Sequence, residues 1–147
     1  MASMPPRATK ATLTEAHDLS RRLLQVAERA RADFADVVAE LGLTPVQARA
    51  VLWLDQPSAM RALAGHLACD ASNVTGLADR LEQLGVVERV PGEDRRVTLL
   101  QLTRKGAALR AELADRVAQR STVTARLTSP ERQRLAVLLD KLLDQPG

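Results

Sequence analysis

The sequence predicts a mainly helical chain carrying one small β-hairpin, an α+β class, and three features predict it. A short capped helical pattern over 71–84 leads through Gly85 into two apolar runs, 86–90 and 97–102, with Pro91-Gly92 between them. Ahead of that unit, two more short helical patterns follow one another between Thr44 and Cys69. On either side, long amphipathic patterns occupy about 13–41, 103–127 and 129–143. Short helices followed by a hairpin in this order form a winged helix-turn-helix over 43–106, flanked by long N- and C-terminal helices over 11–42 and 107–147.

Each element has a local cause. Residues 1–10 hold two prolines, small residues and two basic side chains, the composition of a loose arm. Leu13, Ala16, Leu23, Ala27, Phe34, Val37 or Val38, and Leu41 share one helical stripe, and Gly42 ends it. Thr44-Pro45-Val46-Gln47 is a capping box with proline at the first helical position. That helix is expected to run to about Asp55, to bury Val46, Ala50 and Val51 or Leu54, and to break at Gln56-Pro57. Ser58 is expected to open the next helix, with Leu63, Ala64 and Leu67 inward. Cys69-Asp70 then turns tightly into the third, with Asp70 as N-cap. Val74, Leu77, Leu81 and Leu84 recur there at steps of three and four and share its inward face. Gly85 supplies the left-handed stop. Thr103 caps a helix expected to reach about Leu127, with Ala107, Leu109, Leu113 and Val117 apolar. Ser129-Pro130 starts the last, whose apolar residues are Leu135, Leu138, Leu139, Leu142 and Leu143.

The outward face of the 71–84 helix carries Ser72, Asn73, Thr75, Gly76, Asp79, Arg80 and Gln83. Small hydrogen-bonding side chains and one arginine suit the base edges of a major groove. The alternative is an ordinary amphipathic surface helix. Beyond it, Glu93, Asp94, Arg95 and Arg96 fall on the tip or far arm of the hairpin, where an arginine can enter a narrow minor groove. Asp94, two residues before Arg96, is placed to brace its guanidinium. Arg61 stands near the start of the preceding helix, either as a phosphate contact or as a solvated surface arginine.

Composition narrows the function classes. Phe34 and Trp53 are the only aromatic residues of 147, so base stacking on aromatic platforms is excluded, and with it a single-strand or RNA-binding module of that kind. The net charge is +3 and the sequence pI is 9.7, a modest sign of a polyanionic partner. Position says more: Arg95, Arg96, Arg104 and Lys105 lie in a window without an acid. One cysteine permits no intramolecular disulfide. Neither a signal peptide nor an apolar run of membrane-spanning length is legible, so a cytoplasmic chain is expected. His66, Cys69 and Asp70 are close enough in sequence to suggest zinc, but they lack a second ligand cluster, and neither a metal nor another cofactor is expected.

Leu43-Thr44-Pro45-Val46-Gln47, Leu63-Ala64, Ser72-Asn73-Val74-Thr75, Asp79-Arg80-Leu81-Glu82, Gly85, Glu88-Arg89, Asp94-Arg95-Arg96 and Leu102-Thr103-Arg104-Lys105-Gly106 together resemble the MarR family of bacterial transcription regulators. The resemblance covers about residues 40–110, and the Asp-Arg-Arg wing followed by Leu-Thr-x-x-Gly is its most diagnostic part. Two departures stand out: Gly76 replaces a larger or basic side chain, and the turn between Arg89 and Asp94 is about one residue short. The resemblance implies a homodimer, with 11–42 and 107–147 as its dimerisation region, on a pseudo-palindromic operator. It further implies repression relieved by a small phenolic or other lipophilic effector between the DNA-binding lobe and the dimer helices. His17, Arg21 and Trp53 are the effector-binding candidates, with Trp53 better suited to the core. Some relatives sense peroxides through a cysteine of the first helix. Cys69 is not there, and an inert buried thiol is expected.

Two other classes compete. An enzyme needs a converging nucleophile, base and acid, or a metal cluster, and two isolated histidines and one cysteine do not supply them. A winged helix that serves only as a protein-protein interaction module needs an apolar or acidic outward face on the 71–84 helix, whereas this face is polar and mildly basic.

Overall fold

The computed structural model describes residue 7 and residues 9–144. The arm expected over 1–10 therefore lies almost wholly outside the described residues. The first helix, α1 (Lys10–Glu40), starts a few residues earlier than its apolar pattern, because the Thr9 hydroxyl accepts the amide of Thr12 and caps it. It is followed by α2 (Pro45–Trp53), β1 (Ser58–Ala59), α3 (Met60–Leu67), α4 (Ala71–Gln83), β2 (Val87–Pro91) and β3 (Thr98–Leu102). The chain closes with α5 (Arg104–Arg120), α6 (Thr122–Arg126) and α7 (Ser129–Leu143). No helix among the described residues is long and apolar enough to cross a membrane.

Local chemistry sets most boundaries. At Thr44 both halves of the capping box are formed: its hydroxyl accepts from Gln47 N, and Gln47 Oε1 accepts from Thr44 N at 3.0 Å. Asp70 Oδ1 accepts the Asn73 amide at 3.0 Å and so starts α4. Gly85, at φ +72°, stops α4 and turns the chain into β2. The turn between α3 and α4 runs through Ala68, left-handed at φ 53° although it is not glycine.

Two apolar clusters result. The larger joins Ala50, Val51, Leu54, Leu63, Leu67, Val74, Ala78, Leu81, Val86, Val87 and Leu100, drawn from α2, α3, α4 and the sheet. The smaller joins Val37 and Val38 of α1 to Leu43, Ala48 and Leu113, and so seats α1 on α2 and α5. Leu109 of α5 packs against both clusters.

The structure corrects several expectations. Ser58 does not cap a helix. Its hydroxyl donates to the Gln56 carbonyl, and Ser58–Ala59 pairs antiparallel with β3, so the hairpin becomes a three-stranded sheet in the order β1-β3-β2. The open edge of β3 supplies backbone partners that a local reading cannot see. Val46 is exposed rather than buried, and the inward residues of α2 are Ala48, Ala50 and Val51, with Leu54 just beyond. Leu84 is exposed at the C-terminal end of its helix, and Ala107 faces solvent on α5. The helix expected from Thr103 to Leu127 is broken at Ser121. There the Asp33 carboxylate of α1 accepts both the amide and the hydroxyl of Thr122, at 2.8 and 2.6 Å, and Ser121 becomes the N-cap of α6. Thr122, Val123 and Thr124 are β-branched and weak helix formers, so the break costs little.

Candidate nucleic-acid interface

In α4 the inward face is Val74, Ala78 and Leu81, all buried, with Leu77 partly covered. That packing turns Ser72, Asn73, Thr75, Gly76 and Arg80 outward, and all five are exposed. Two of these side chains are partly committed: the Ser72 hydroxyl donates to Asp70 Oδ1 at 2.9 Å, and the Thr75 hydroxyl donates to the Ala71 carbonyl at 3.0 Å. Each keeps acceptor capacity facing out. Gly76 leaves open space, with nothing within 4 Å of where a Cβ would sit. Asp70 holds its proton less readily than an ordinary aspartate, because the Asn73 amide and then the Ser72 hydroxyl stabilise its carboxylate. Arg61 lies exposed in the first turn of α3, which packs on α4.

The hairpin stands beside α4. Its register pairs Val87 with Leu102, Arg89 with Leu100 and Pro91 with Thr98. Toward the tip, the Gly92 amide donates to the Val97 carbonyl at 2.8 Å, and the Val97 amide to the Asp94 carbonyl at 2.9 Å. Arg95 and Arg96 are both exposed there. Asp94 braces this turn, but not as the sequence suggested: its carboxylate accepts the backbone amide of Arg96 at 3.1 Å rather than the guanidinium. The Arg96 side chain is thereby left to face outward.

The base of the hairpin explains why threonine and glycine stand where they do. The Thr103 hydroxyl accepts from the Gly106 amide at 3.1 Å and donates to the Gly85 carbonyl at 2.6 Å, so one side chain caps α5 and ties it to the end of α4. Lys105 Nζ donates to the Leu84 carbonyl at 2.9 Å. Gly106 is pressed against the Val86 carbonyl so closely that a Cβ would stand 1.9 Å from its oxygen. The spacing was visible in the sequence, but the reason for it was not.

One residue escaped the sequence as a functional candidate. Arg89 of β2 forks between two acids of α4, donating to Asp79 Oδ1 at 2.6 Å and to Glu82 Oε2. Asp79 first, and then the charge of Glu82, hold its proton more tightly than usual against the cost of partial burial. The only available signal was that opposite charges stood on neighbouring elements.

A cleft of about 610 Å³ opens between α1, α2, α3 and α5. Phe34, Leu52, Trp53 and Val117 form its apolar wall, and Arg31, Arg49 and His66 line it with charge and polarity. The Trp53 and His66 rings stack with centroids 5.1 Å apart. Trp53 lines this cleft while also packing on the larger core. His17 and Arg21 do not. They lie far up α1, outside the cleft lining, where Arg21 is 3.8 Å from Asp18. Cys69 is half-buried rather than buried, and its thiol donates to the Leu67 carbonyl. Cys69, His66 and Asp70 are each engaged separately rather than converging on one point.

Residues 43–98 match the MarR family pattern. The HTH-type transcriptional regulator MgrA of Staphylococcus aureus is 32% identical over 97 residues, and the aligned stretch spans 63% of this chain and 63% of MgrA. The apo crystal structure of MarR from E. coli superposes with a TM-score of 0.69 at 28% identity, covering 86% of this chain and 96% of that one. The chain resembles the MarR family in both its sequence pattern and its fold. A cysteine-to-serine variant of E. coli MarR complexed with operator DNA gives the MarR fold seen here a TM-score of 0.70, at 28% identity over 88% of this chain and 96% of that one. The winged helix and the long helices flanking it are therefore both parts of the MarR architecture, although the sequence pattern of the family covers only the former.

Proposed function

We propose that this chain is a sequence-specific double-stranded DNA-binding transcriptional regulator, a homodimeric repressor of a pseudo-palindromic operator that a small lipophilic or phenolic effector releases. One observation carries the DNA-binding part: α4 exposes Ser72, Asn73, Thr75, Gly76 and Arg80 beside a wing that ends in exposed Arg95 and Arg96. In the proposed complex α4 enters the major groove, where its polar side chains meet base edges. Arg95 and Arg96 reach the adjacent minor groove or its phosphates. Arg61, at the start of α3, meets the backbone and fixes register without reading sequence. The test is binding to duplexes from the region upstream of the chain's own coding sequence, against scrambled duplexes, across a salt series. A preferred duplex and a steep fall of affinity with salt are expected. Equal weak binding to every duplex rules the proposal out.

The dimer follows from what the outer helices leave uncovered. Leu13, Leu19 and Leu23 of α1 and Val137, Leu138, Leu142 and Leu143 of α7 are exposed, and Leu142 is 68% exposed. Apolar surface of this extent asks for a partner, and a second copy related by a twofold axis covers both helices at once. Sedimentation without DNA is expected to give twice the 16.0 kDa chain mass. A well-folded monomer at micromolar concentration contradicts it.

The cleft around Trp53 suits the effector. Its apolar wall takes an aromatic body, and Arg31 and Arg49 take an anionic end. Trp53 is the only tryptophan, so its emission reports this cleft without labelling. Titration with an aromatic carboxylate is expected to change that emission and to lower operator affinity. A change in neither removes the ligand from the proposal.

A further inference from the structure

We propose that Arg89 is the positioning residue of this DNA-binding unit: its fork between Asp79 and Glu82 fixes the wing against α4, and operator preference depends on that fixed angle. The inference rests on the DNA-binding reading above and concerns a residue outside the exposed contact set. Arg89 is turned toward α4 rather than outward, for its side chain is 29% exposed while that of Asp79 is 53% exposed. Asp79 and Glu82 stand one turn apart on α4, a spacing that a planar guanidinium spans and a lysine ammonium does not.

The location matters as much as the chemistry. Across the hairpin from Arg89 is Leu100, fully buried in the core on the same face of the sheet, so the hairpin is held against α4 and the core at this point. Beyond it the bonds toward the tip join the hairpin to itself: Gly92 to Val97, Val97 to Asp94, and Arg96 to the Asp94 carboxylate. The direction in which Arg95 and Arg96 point is therefore set at Arg89. The same fork pairs the charge of the exposed Asp79, which stands on α4 beside Arg80.

The test compares the parent with Arg89→Met, Arg89→Lys and the double variant Asp79→Asn/Glu82→Gln. The double variant keeps Arg89 and alters only exposed side chains, so it folds even if Arg89→Met does not. Arg89→Met and the double variant are each expected to lose about tenfold or more in operator affinity, with non-specific affinity within about twofold and the salt slope unchanged. Arg89→Lys retains the charge but not the fork and is expected to fall with them. A direct phosphate contact gives a different pattern: Arg89→Met then loses equally on all duplexes with a slope lower by about one, and the double variant binds at least as well as the parent. That pattern overturns the proposal. Hydrogen exchange without DNA supplies an independent arm, in which wing amides between Val90 and Thr98 exchange about tenfold faster in both variants if the fork holds the wing. Unchanged exchange overturns it. Should the parent bind no duplex at all, the DNA-binding reading fails and this arm alone decides the role of the fork.

Discussion

The winged-helix lobe and the outer helices have nearly the same kind of leucine-rich sequence and opposite fates. In the lobe, Leu63, Leu81 and Leu100 are completely buried, and every helix has a face sealed by another element. In the outer region, α1 buries only Val37 and Val38 near its C-terminal end, and α7 buries nothing. Periodicity marks a face that must be covered, but it does not say by whom. The lobe covers its own faces, and the outer helices leave much of theirs open.

Paired truncations break the comparison most sharply. Leu81→Ala is expected to cost about 2–5 kcal/mol in chemical denaturation, because it opens a cavity in a sealed core. Leu142→Ala, exposed within one chain, is expected to leave denaturation of a dilute monomer nearly unchanged while weakening self-association. Equal effects of the two on unfolding erase the distinction. Gly106→Ala probes the joint between the regions. Its new Cβ meets the Val86 carbonyl, which belongs to the backbone and cannot swing aside, so a loss near 3 kcal/mol is expected, at the upper end of overpacking. A melting temperature equal to that of the parent contradicts the close approach.

Arg96→Ala asks whether the lobe's surface is free of packing duty. DNA affinity is expected to fall on all duplexes and the salt slope by about one, with melting unchanged. Arg95 takes over the role if Arg96→Ala binds like the parent.

Acid separates the regions through the Asp33 clasp. The Thr122 hydroxyl, and then its amide, hold the Asp33 carboxyl below its ordinary value of 3.8. Because the folded value is depressed, the stabilisation is complete above that ordinary value and is lost as pH falls through the lower one. Asp33→Ala is expected to melt below the parent at pH 6, with the two curves converging as acid protonates the parent's carboxyl. A constant gap down to pH 2 argues against the clasp. The smallest effect belongs to Gly76→Ala, which fills open space on a helix and is expected to add about 0.5–1 kcal/mol. Gly76→Leu then tells whether the backbone must approach DNA: retained operator affinity means it need not.

What the sequence made legible follows the range of the interactions. The capping box at Thr44, the cap at Asp70 and the stop at Gly85 are settled within four residues of themselves, and they appear where the sequence places them. Ser58 departs from its expected place because its strand partner, Leu100, lies far along the chain. The break at Ser121 depends on Asp33, in a different helix. His17 and Arg21 lie on α1 well before Ala30 to Phe34, the part of that helix that lines the cleft, and residue type alone does not reveal which cavity a position on a long helix reaches. Arg89 went unmarked because an arginine on a strand says nothing about which helix it will face.

One helix belongs to both regions. The Gly106 end of α5 is wedged under the hairpin, and its far end is clasped to α1 by Arg116 and Arg120, which share the carboxylate of Glu40 at 3.1 and 2.6 Å. At 17 residues it is about 25 Å long by the rise of an α-helix. It therefore touches both regions, one at each end. A tilt of about 5° where it meets α1 swings the hairpin end by about 2 Å over that length. In the proposed dimer such a swing changes the distance between the two reading heads, which must match one turn of duplex. In that proposed complex, half-site spacing would be set through α5, from a point remote from any base.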